Sequence, residues 1–267
     1  MFDRIGFIGC GNMGGALLKA VAKASSQNKL FVSGKGSERA KNIANETGAT
    51  QTSNESIAKE CSLIFLGVKP QVMPEMLSGI EDILSKRQDH FVLVTMAAGL
   101  SIESIRKMAG GNYPVIRIMP NLPVSVGEGM TLYCSDGLNS DELSEFLDMM
   151  SLSGMMCQLD ESLIDAGSVV SGCGPAFVYM FIDALAKAGA DCGLSKDKAQ
   201  LLAAQTLIGS SKLLIESERD PGDLRDAVCS PGGTTIEGVK SLENDAFNST
   251  VSNAVKASYK RTLELKK

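Results

Sequence analysis

The chain has 267 residues, 44% of them hydrophobic, and a formal net charge of −5, which is length for one large or two modest domains and enough apolar surface for a packed core. Basic residues form no run, aromatics make up 5% and tryptophan is absent, which argues against nucleic acid or an anionic membrane as the main partner and against a base-stacking surface. The seven cysteines, at 10, 61, 134, 157, 173, 192 and 229, show no CxxC spacing, and His90 is the single histidine; reduced thiols in a cytoplasmic protein without a metal site are the expectation.

The chain enters a strand pattern at once, with no charged leader before an apolar core, so no secretory signal is expected. Residues 4–9 (RIGFIG) read as a strand and 12–24 as a helix; 30–33 read as a strand and 37–47 as a helix ending at Gly48. Further strands are expected at 63–68 (LIFLGV), stopped by Pro70, at 91–95 (FVLVT) and at 115–119 (VIRIM), with helices over 71–84 and 101–108 between them. Strands apolar on both faces, each followed by a helix, indicate a parallel sheet covered on both sides. A hairpin-like pair, 130–134 and 155–159, flanks a helix over 141–152 and closes this half.

After residue 161 the strand signal ends, and 162–170, 175–189, 196–217, 220–228, 234–245 and 247–265 read as helices. The expected fold is therefore α/β: a Rossmann-type, doubly wound, mostly parallel sheet over 1–160, followed by an all-helical dimerisation and substrate domain over 161–267. Two of the helices, PAFVYMFIDALAKAGA and LLAAQTLIGSSKLLI, are apolar nearly all round and must be buried. This half offers too few neighbours to cover both, so a second copy of the chain is expected to cover them through an isologous interface; the alternative is that they cover each other in a monomer. The longest apolar run, 175–182, falls short of the roughly 20 residues that span a bilayer, so no membrane is expected.

Residues 9–14, GCGNMG, form a GxGxxG directly after the first strand and at the start of the first helix. In that place Gly9 permits the tight turn, Gly11 lets a pyrophosphate approach the backbone, and Gly14 lets helix and strand pack closely. The phosphates then meet the free amides and positive end of the helix. The second strand ends VSGKGSER (32–39), with Ser33, Lys35 and Ser37 where an NAD-binding protein usually carries an acid. A serine and a lysine can hold a 2′-phosphate that an acid would repel, so NADP, as NADPH, is the expected cofactor, with NADH the other candidate. GVKP (67–70) and MAAG (96–99) end strands at the sheet's carboxyl edge, where ligands bind in such folds; Ala97, Ala98 and Gly99 are small enough for a flat ring to lie against backbone.

One corner interrupts the helical half: CSPGGTTIEGV, residues 229–239. Two glycines allow a turn in which successive backbone N–H groups point into one hollow. Thr234 and Thr235 open the next helix and add hydroxyls and its positive end. Ordinary capping needs one such hydroxyl, and a carboxylate is the natural guest of the rest.

Taken together, SPGGTTIEGVKSLE (230–243), SGCGPAF (171–177), RIMPNLPVSVGEGMT (117–131), FLGVKPQ (65–71) and GFIGCGNMG (6–14) resemble pyrroline-5-carboxylate reductase, almost end to end. The resemblance implies NAD(P)H-dependent reduction of the C=N bond of 1-pyrroline-5-carboxylate to L-proline, by a homodimer or a higher homo-oligomer such as a decamer. It implies that Ile8, Gly9, Gly11, Asn12 and Met13 surround the pyrophosphate, that Ser33 and Asn54 serve the adenosine side, to which the end of the second strand adds Lys35, and that Val68, Lys69, Pro70, Ala97 and Ala98 line the nicotinamide half. Ser230, Gly232, Gly233, Thr234 and Thr235 would hold the substrate carboxylate, largely through backbone amides, and Glu218 would approach the substrate amine. The catalytic positions are then Thr235 and Glu218. The chain departs from the family at Gly34-Lys35-Gly36, where many members carry an arginine, at Cys173 for a serine, Phe177 for a tyrosine and Leu122 for a threonine. Two other readings stay open: a ketopantoate or hydroxy-acid reductase of the same two-part build, whose catalytic lysine would have to be Lys187, Lys196 or Lys198, and a non-catalytic NADP-sensing scaffold.

Overall fold

Strands with apolar residues on both faces belong inside a sheet that is covered twice. The computed structural model, which describes residues 2–24, 29–34 and 37–264, has that build. In chain order the first part runs β1 (Ile5–Ile8), α1 (Asn12–Ala24), β2 (Leu30–Ser33), α2 (Ser37–Thr47), β3 (Thr50–Gln51), α3 (Asn54–Glu60), β4 (Leu63–Leu66), α4 (Met73–Ser78), α5 (Glu81–Ser85), β5 (Val92–Thr95), α6 (Ile102–Ala109), β6 (Val115–Met119), β7 (Gly129–Asp136), α7 (Ser140–Met150), β8 (Gly154–Gln158) and α8 (Ile164–Ser171). Every residue of β1, β4 and β5 is buried. The strands form one sheet in the order β3-β2-β1-β4-β5-β6-β7-β8, parallel from β3 to β6.

Alternate residues of each strand feed opposite faces. On one face Phe7 and Phe65 stack with ring centroids 4.2 Å apart and meet Phe146 of α7. On the other, Ile8, Ile64 and Leu66 pack with Met73, Leu77 and Ile105. Full burial of each such side chain is worth roughly 1.5–3 kcal/mol. The buried thiols share this environment: burial pushes Cys61 up to about 12 and Cys134 up to about 11, which makes them packing groups and not nucleophiles.

The pair expected as a hairpin is not one. β7 runs antiparallel to β6, and β8 runs parallel to β7, so α7 is a crossover between parallel strands. The helix expected over 71–84 is broken into a 3₁₀ turn at Pro70–Val72, then α4 and α5, with Gly79 between the last two. β3 and α3 carry no counterpart in the sequence reading; β3 is two exposed residues at the sheet edge.

Helix α8 is tied to the sheet by charge. Arg117 of β6 is 2% exposed. Its Nη2 donates to Asp165 Oδ1 at 2.9 Å and its Nη1 to Glu161 Oε1 at 3.3 Å. The same Glu161 oxygen accepts from the Ile102 backbone N–H at 2.8 Å. At the far end of α8, Asn121 Nδ2 donates to the Ser171 carbonyl at 2.9 Å, while its Oδ1 accepts from the Met130 N–H at 2.9 Å. One buried amide thus joins the chain after β6, the start of β7 and the last turn of α8.

The chain then continues as α9 (Gly174–Asp191), α10 (Lys196–Ser217), α11 (Pro221–Ala227), α12 (Thr234–Asn244) and α13 (Phe247–Glu264). Two compact units result: Met1–Cys173 with Tyr259–Lys267, and Gly174–Ser258. Within the second unit, α9 and α10 meet through small residues, Ala186, Ala199 and Ala203 with Ile182. Their larger apolar side chains stay outside: Met180 is 72% and Leu201 68% exposed within the single chain.

Candidate active site

The sequence GCGNMG makes its turn at the end of β1, and each glycine there has a distinct steric reason. Gly9 has φ +98°, and a Cβ on it would stand 2.7 Å from the Gly67 carbonyl oxygen; its N–H donates to the Ser33 carbonyl at 2.9 Å. A Cβ on Gly14 would stand 2.5 Å from the Gly9 oxygen, so α1 lies against β1 only because Gly14 lacks one. Around Gly11 a Cβ would meet no atom within 4 Å. That open space faces the unpaired first amides of α1, and it is where the backbone can receive a pyrophosphate.

A cavity of about 460 Å³ opens above this turn, within the range of small-molecule and cofactor sites. It lies at the place where strand order reverses, since β1 pairs with β2 on one side and with β4 on the other; ligands of open α/β sheets bind at such switch points. Of the residues expected to hold the cofactor, Ile8, Gly9, Gly11, Asn54, Val68 and Lys69 line this one cavity. The others stand around it in different ways. Asn12 accepts a hydrogen bond from Arg39 through its Oδ1. Ser33 is buried, and its hydroxyl donates to Asn54 Oδ1 at 2.6 Å, which fixes the amide of a residue that lines the cavity. Met13 packs its side chain against the core. Pro70 opens the 3₁₀ turn after Lys69. Ala97, buried, and Ala98 follow β5, whose Thr95 stands opposite Leu66 of β4. Lys35 lies outside the described residues.

The substrate-side residues belong to the second unit. Gly232 has φ +70°, a conformation that glycine adopts freely. A Cβ on Gly233 would stand 2.3 Å from Ser230 Oγ, and the Gly233 N–H donates to the Ser230 carbonyl at 3.0 Å. Gly233 is the N-cap of α12 and provides no side chain to cap it, so the amides that open α12, beside Thr234 and Thr235, have no capping oxygen from that position. Both threonines are exposed. Glu218 caps α10 with φ 53°, a left-handed conformation that is uncommon outside glycine and gathers at functional places.

Residues 161–265 match the family profile described as pyrroline-5-carboxylate reductase dimerisation, and 4–99 match that of NADP oxidoreductase, coenzyme F420-dependent. Over nearly the whole chain the protein is similar to pyrroline-5-carboxylate reductase of Aquifex aeolicus (strain VF5), at 35% identity across 98% of this chain and 97% of that one. The Escherichia coli (strain K12) pyrroline-5-carboxylate reductase is 35% identical across 100% of both. The chain belongs to the pyrroline-5-carboxylate reductase family. It is thus an oxidoreductase with a Rossmann-type N-terminal part. A solved Plasmodium falciparum pyrroline carboxylate reductase, with NADP bound, superposes with a TM-score of 0.85 at 34% identity, covering 99% of this chain and 98% of that one.

Against that family background one cavity residue stands out that the sequence reading missed. Arg39, in the first turn of α2, lines the cavity together with Gly11, Gly34 and Asn54. The available signal was a strand ending without an acid, followed a few residues later by an arginine.

Proposed function

We propose that this protein reduces the C=N bond of 1-pyrroline-5-carboxylate to L-proline, with NADPH preferred over NADH. Bound reduced nicotinamide supplies the hydride. The chain supplies position. An imine is far more basic than a ketone and can arrive protonated, so no strong general acid is needed. The bend at Ser230, Gly232 and Gly233, with Thr234 and Thr235, clamps the substrate carboxylate; Glu218 stands toward the amine. Val68, Lys69, Pro70, Ala97 and Ala98 form the wall on the nicotinamide side. Holding two reactants in attack geometry is worth about 7–11 kcal/mol. The observation that carries this reading is α12, which begins behind a glycine bend with no side chain on its N-cap.

Thr235→Ala is expected to raise the KM for pyrroline-5-carboxylate by about 10-fold or more, as befits one hydrogen bond to a charged group, and to lower kcat by less. Steady-state kinetics at saturating NADPH checks this. A loss confined to kcat would make Thr235 a proton donor and not part of a clamp. A ketoacid panel run beside pyrroline-5-carboxylate tests the hydroxy-acid alternative, whose lysine is poorly served here: Lys187 is held by Asp183 at 2.6 Å and is 74% exposed.

We also propose that α9 and α10 are covered by a second copy of the chain, as a homodimer or a larger homo-oligomer such as a decamer. The apolar side chains left outside by one chain support this, as does the dimerisation profile over 161–265. The stretch Glu161–Asp191 is also apolar and long enough to cross a bilayer by length and composition. It is, however, two helices, and Asp165 in the first is ion-paired to Arg117 of the sheet. Sedimentation at micromolar concentration is expected to show a dimer or larger; a monomer overturns the assignment. The seven cysteines, all free, suit a reducing compartment such as the cytoplasm.

A further inference from the structure

We propose that Leu122 is an apolar wall for the ring of the substrate and makes this enzyme prefer a plain pyrroline ring over one that carries a hydroxyl, an inference that rests on the pyrroline-5-carboxylate reading above. An exposed leucine is ordinary on a protein surface; here its support and its place set it apart. Leu122 opens the 3₁₀ turn Leu122–Val126, and that turn is held at three points. The Asn121 amide before it is 8% exposed and joins the Met130 N–H to the Ser171 carbonyl. Val124 is buried in the core on the Phe7 side of the sheet, and its N–H donates to the Asn121 carbonyl at 3.2 Å. Ser125 Oγ donates to the Leu122 carbonyl at 3.0 Å. Leu122 itself is 55% exposed and, among the described residues, belongs to neither core cluster of the sheet. A fixed turn therefore holds one large apolar side chain away from the core.

Its place is the sheet's carboxyl edge. β5 and β6 are parallel, with Thr95 opposite Arg117, so the residues that follow the two strands, Ala97–Ala98 and Asn121–Leu122, leave the sheet side by side. Ala97 and Ala98 belong to the wall on the nicotinamide side. Hydride transfer needs the reacting atoms about 3–3.5 Å apart, so a group beside the nicotinamide is also beside the ring that receives the hydride. The carboxylate of that ring goes to its clamp and the C=N carbon faces the coenzyme. What remains is a pair of CH2 groups, and these are what a leucine can cover. A hydroxyl on one of them would give up water against Leu122 and find no hydrogen-bond partner in its side chain, which is unfavourable.

The test compares 1-pyrroline-5-carboxylate with its 3-hydroxy derivative on the wild type, Leu122→Thr and Leu122→Ala. Calorimetric titration with the corresponding products, L-proline and trans-4-hydroxy-L-proline, gives a readout that needs no turnover. The wild type is expected to favour the plain ring in kcat/KM by roughly 10- to 100-fold, the discrimination that an apolar pocket exerts against an added hydroxyl. Leu122→Thr, which puts a hydroxyl on the wall, should narrow that ratio by about 10-fold, and the ratio of the two product Kd values should narrow with it. Leu122→Ala should lower kcat/KM for the plain ring by about 10-fold, as removal of apolar cover does. Both variants should keep Tm within about 1 °C, because the side chain lies outside the core. A wild type without preference, or a ratio equal in wild type and Leu122→Thr, overturns the proposal. So does an unchanged ratio with a shift toward monomer in sedimentation, which would assign Leu122 to subunit contact, or with a raised KM for NADPH alone, which would assign it to the coenzyme. If the wild type reduces neither ring, the pyrroline-5-carboxylate reading itself fails; if it reduces the plain ring and the variants leave the ratio alone, only the role of Leu122 fails.

Discussion

Asp165→Ala lowers the stability of the protein by about 3–5 kcal/mol, the cost of leaving one member of a buried ion pair without the other. For a unit of this size that is a fall in Tm of roughly 10 °C. The magnitude follows from burial on both sides: the Arg117 side chain is 3% and that of Asp165 4% exposed. Glu161 does not replace the lost partner, because it is more exposed, its contact with Arg117 is 3.3 Å, and it already accepts from the Ile102 amide. Asp165→Asn keeps the shape and one acceptor and should lose less. The double variant Arg117→Met, Asp165→Leu removes both charges and should recover most of the loss. Differential scanning calorimetry of the three variants checks the set. An Asp165→Ala protein within about 2 °C of the wild type would show that the pair is not what holds α8 to the sheet.

What the sequence made legible depends on which forces act locally. β2 and β6 were readable to the residue because a strand buried on both faces must be apolar throughout, and nothing else so short has that pattern. β3 was not readable: Thr50 and Gln51 are exposed at the edge, and only the neighbouring chain of β2 makes them a strand. The direction of β8 against β7 is a property of the path through α7, not of either strand, although an intervening helix of 11 residues was itself a cue for a parallel crossover. The apolar girth of α9 and α10 was plain in the sequence and stays uncovered within one chain. At the site the same division holds. The glycines of the first turn announce themselves because their reasons are steric and close in sequence. Arg39 does not, because its place over the cavity depends on α2 folding back until the guanidinium meets Asn12, a contact 27 residues away in the chain.

Two glycine substitutions in the first turn separate folding from cofactor binding. Gly9→Ala forces a methyl into a φ of +98° and to within 2.7 Å of the Gly67 oxygen. Neither can yield easily: Gly67 donates its own N–H to the Ile8 carbonyl at 2.7 Å, and Gly9 donates to Ser33. Left-handed strain and overpacking together should cost about 2–4 kcal/mol, seen as a Tm lowered by roughly 5–10 °C. Gly11→Ala meets nothing within 4 Å and should leave Tm within about 1 °C. Its methyl instead stands in the space through which a pyrophosphate would reach the amides of α1, and it should weaken NADPH and ADP alike by about 30-fold or more, equivalent to ~2 kcal/mol. That shared loss is the signature of the pyrophosphate, which both nucleotides carry. A Gly11→Ala protein that keeps full affinity for both nucleotides would mean that the dinucleotide does not cross the backbone at this turn, and the assignment of the cavity above β1 would fall with it.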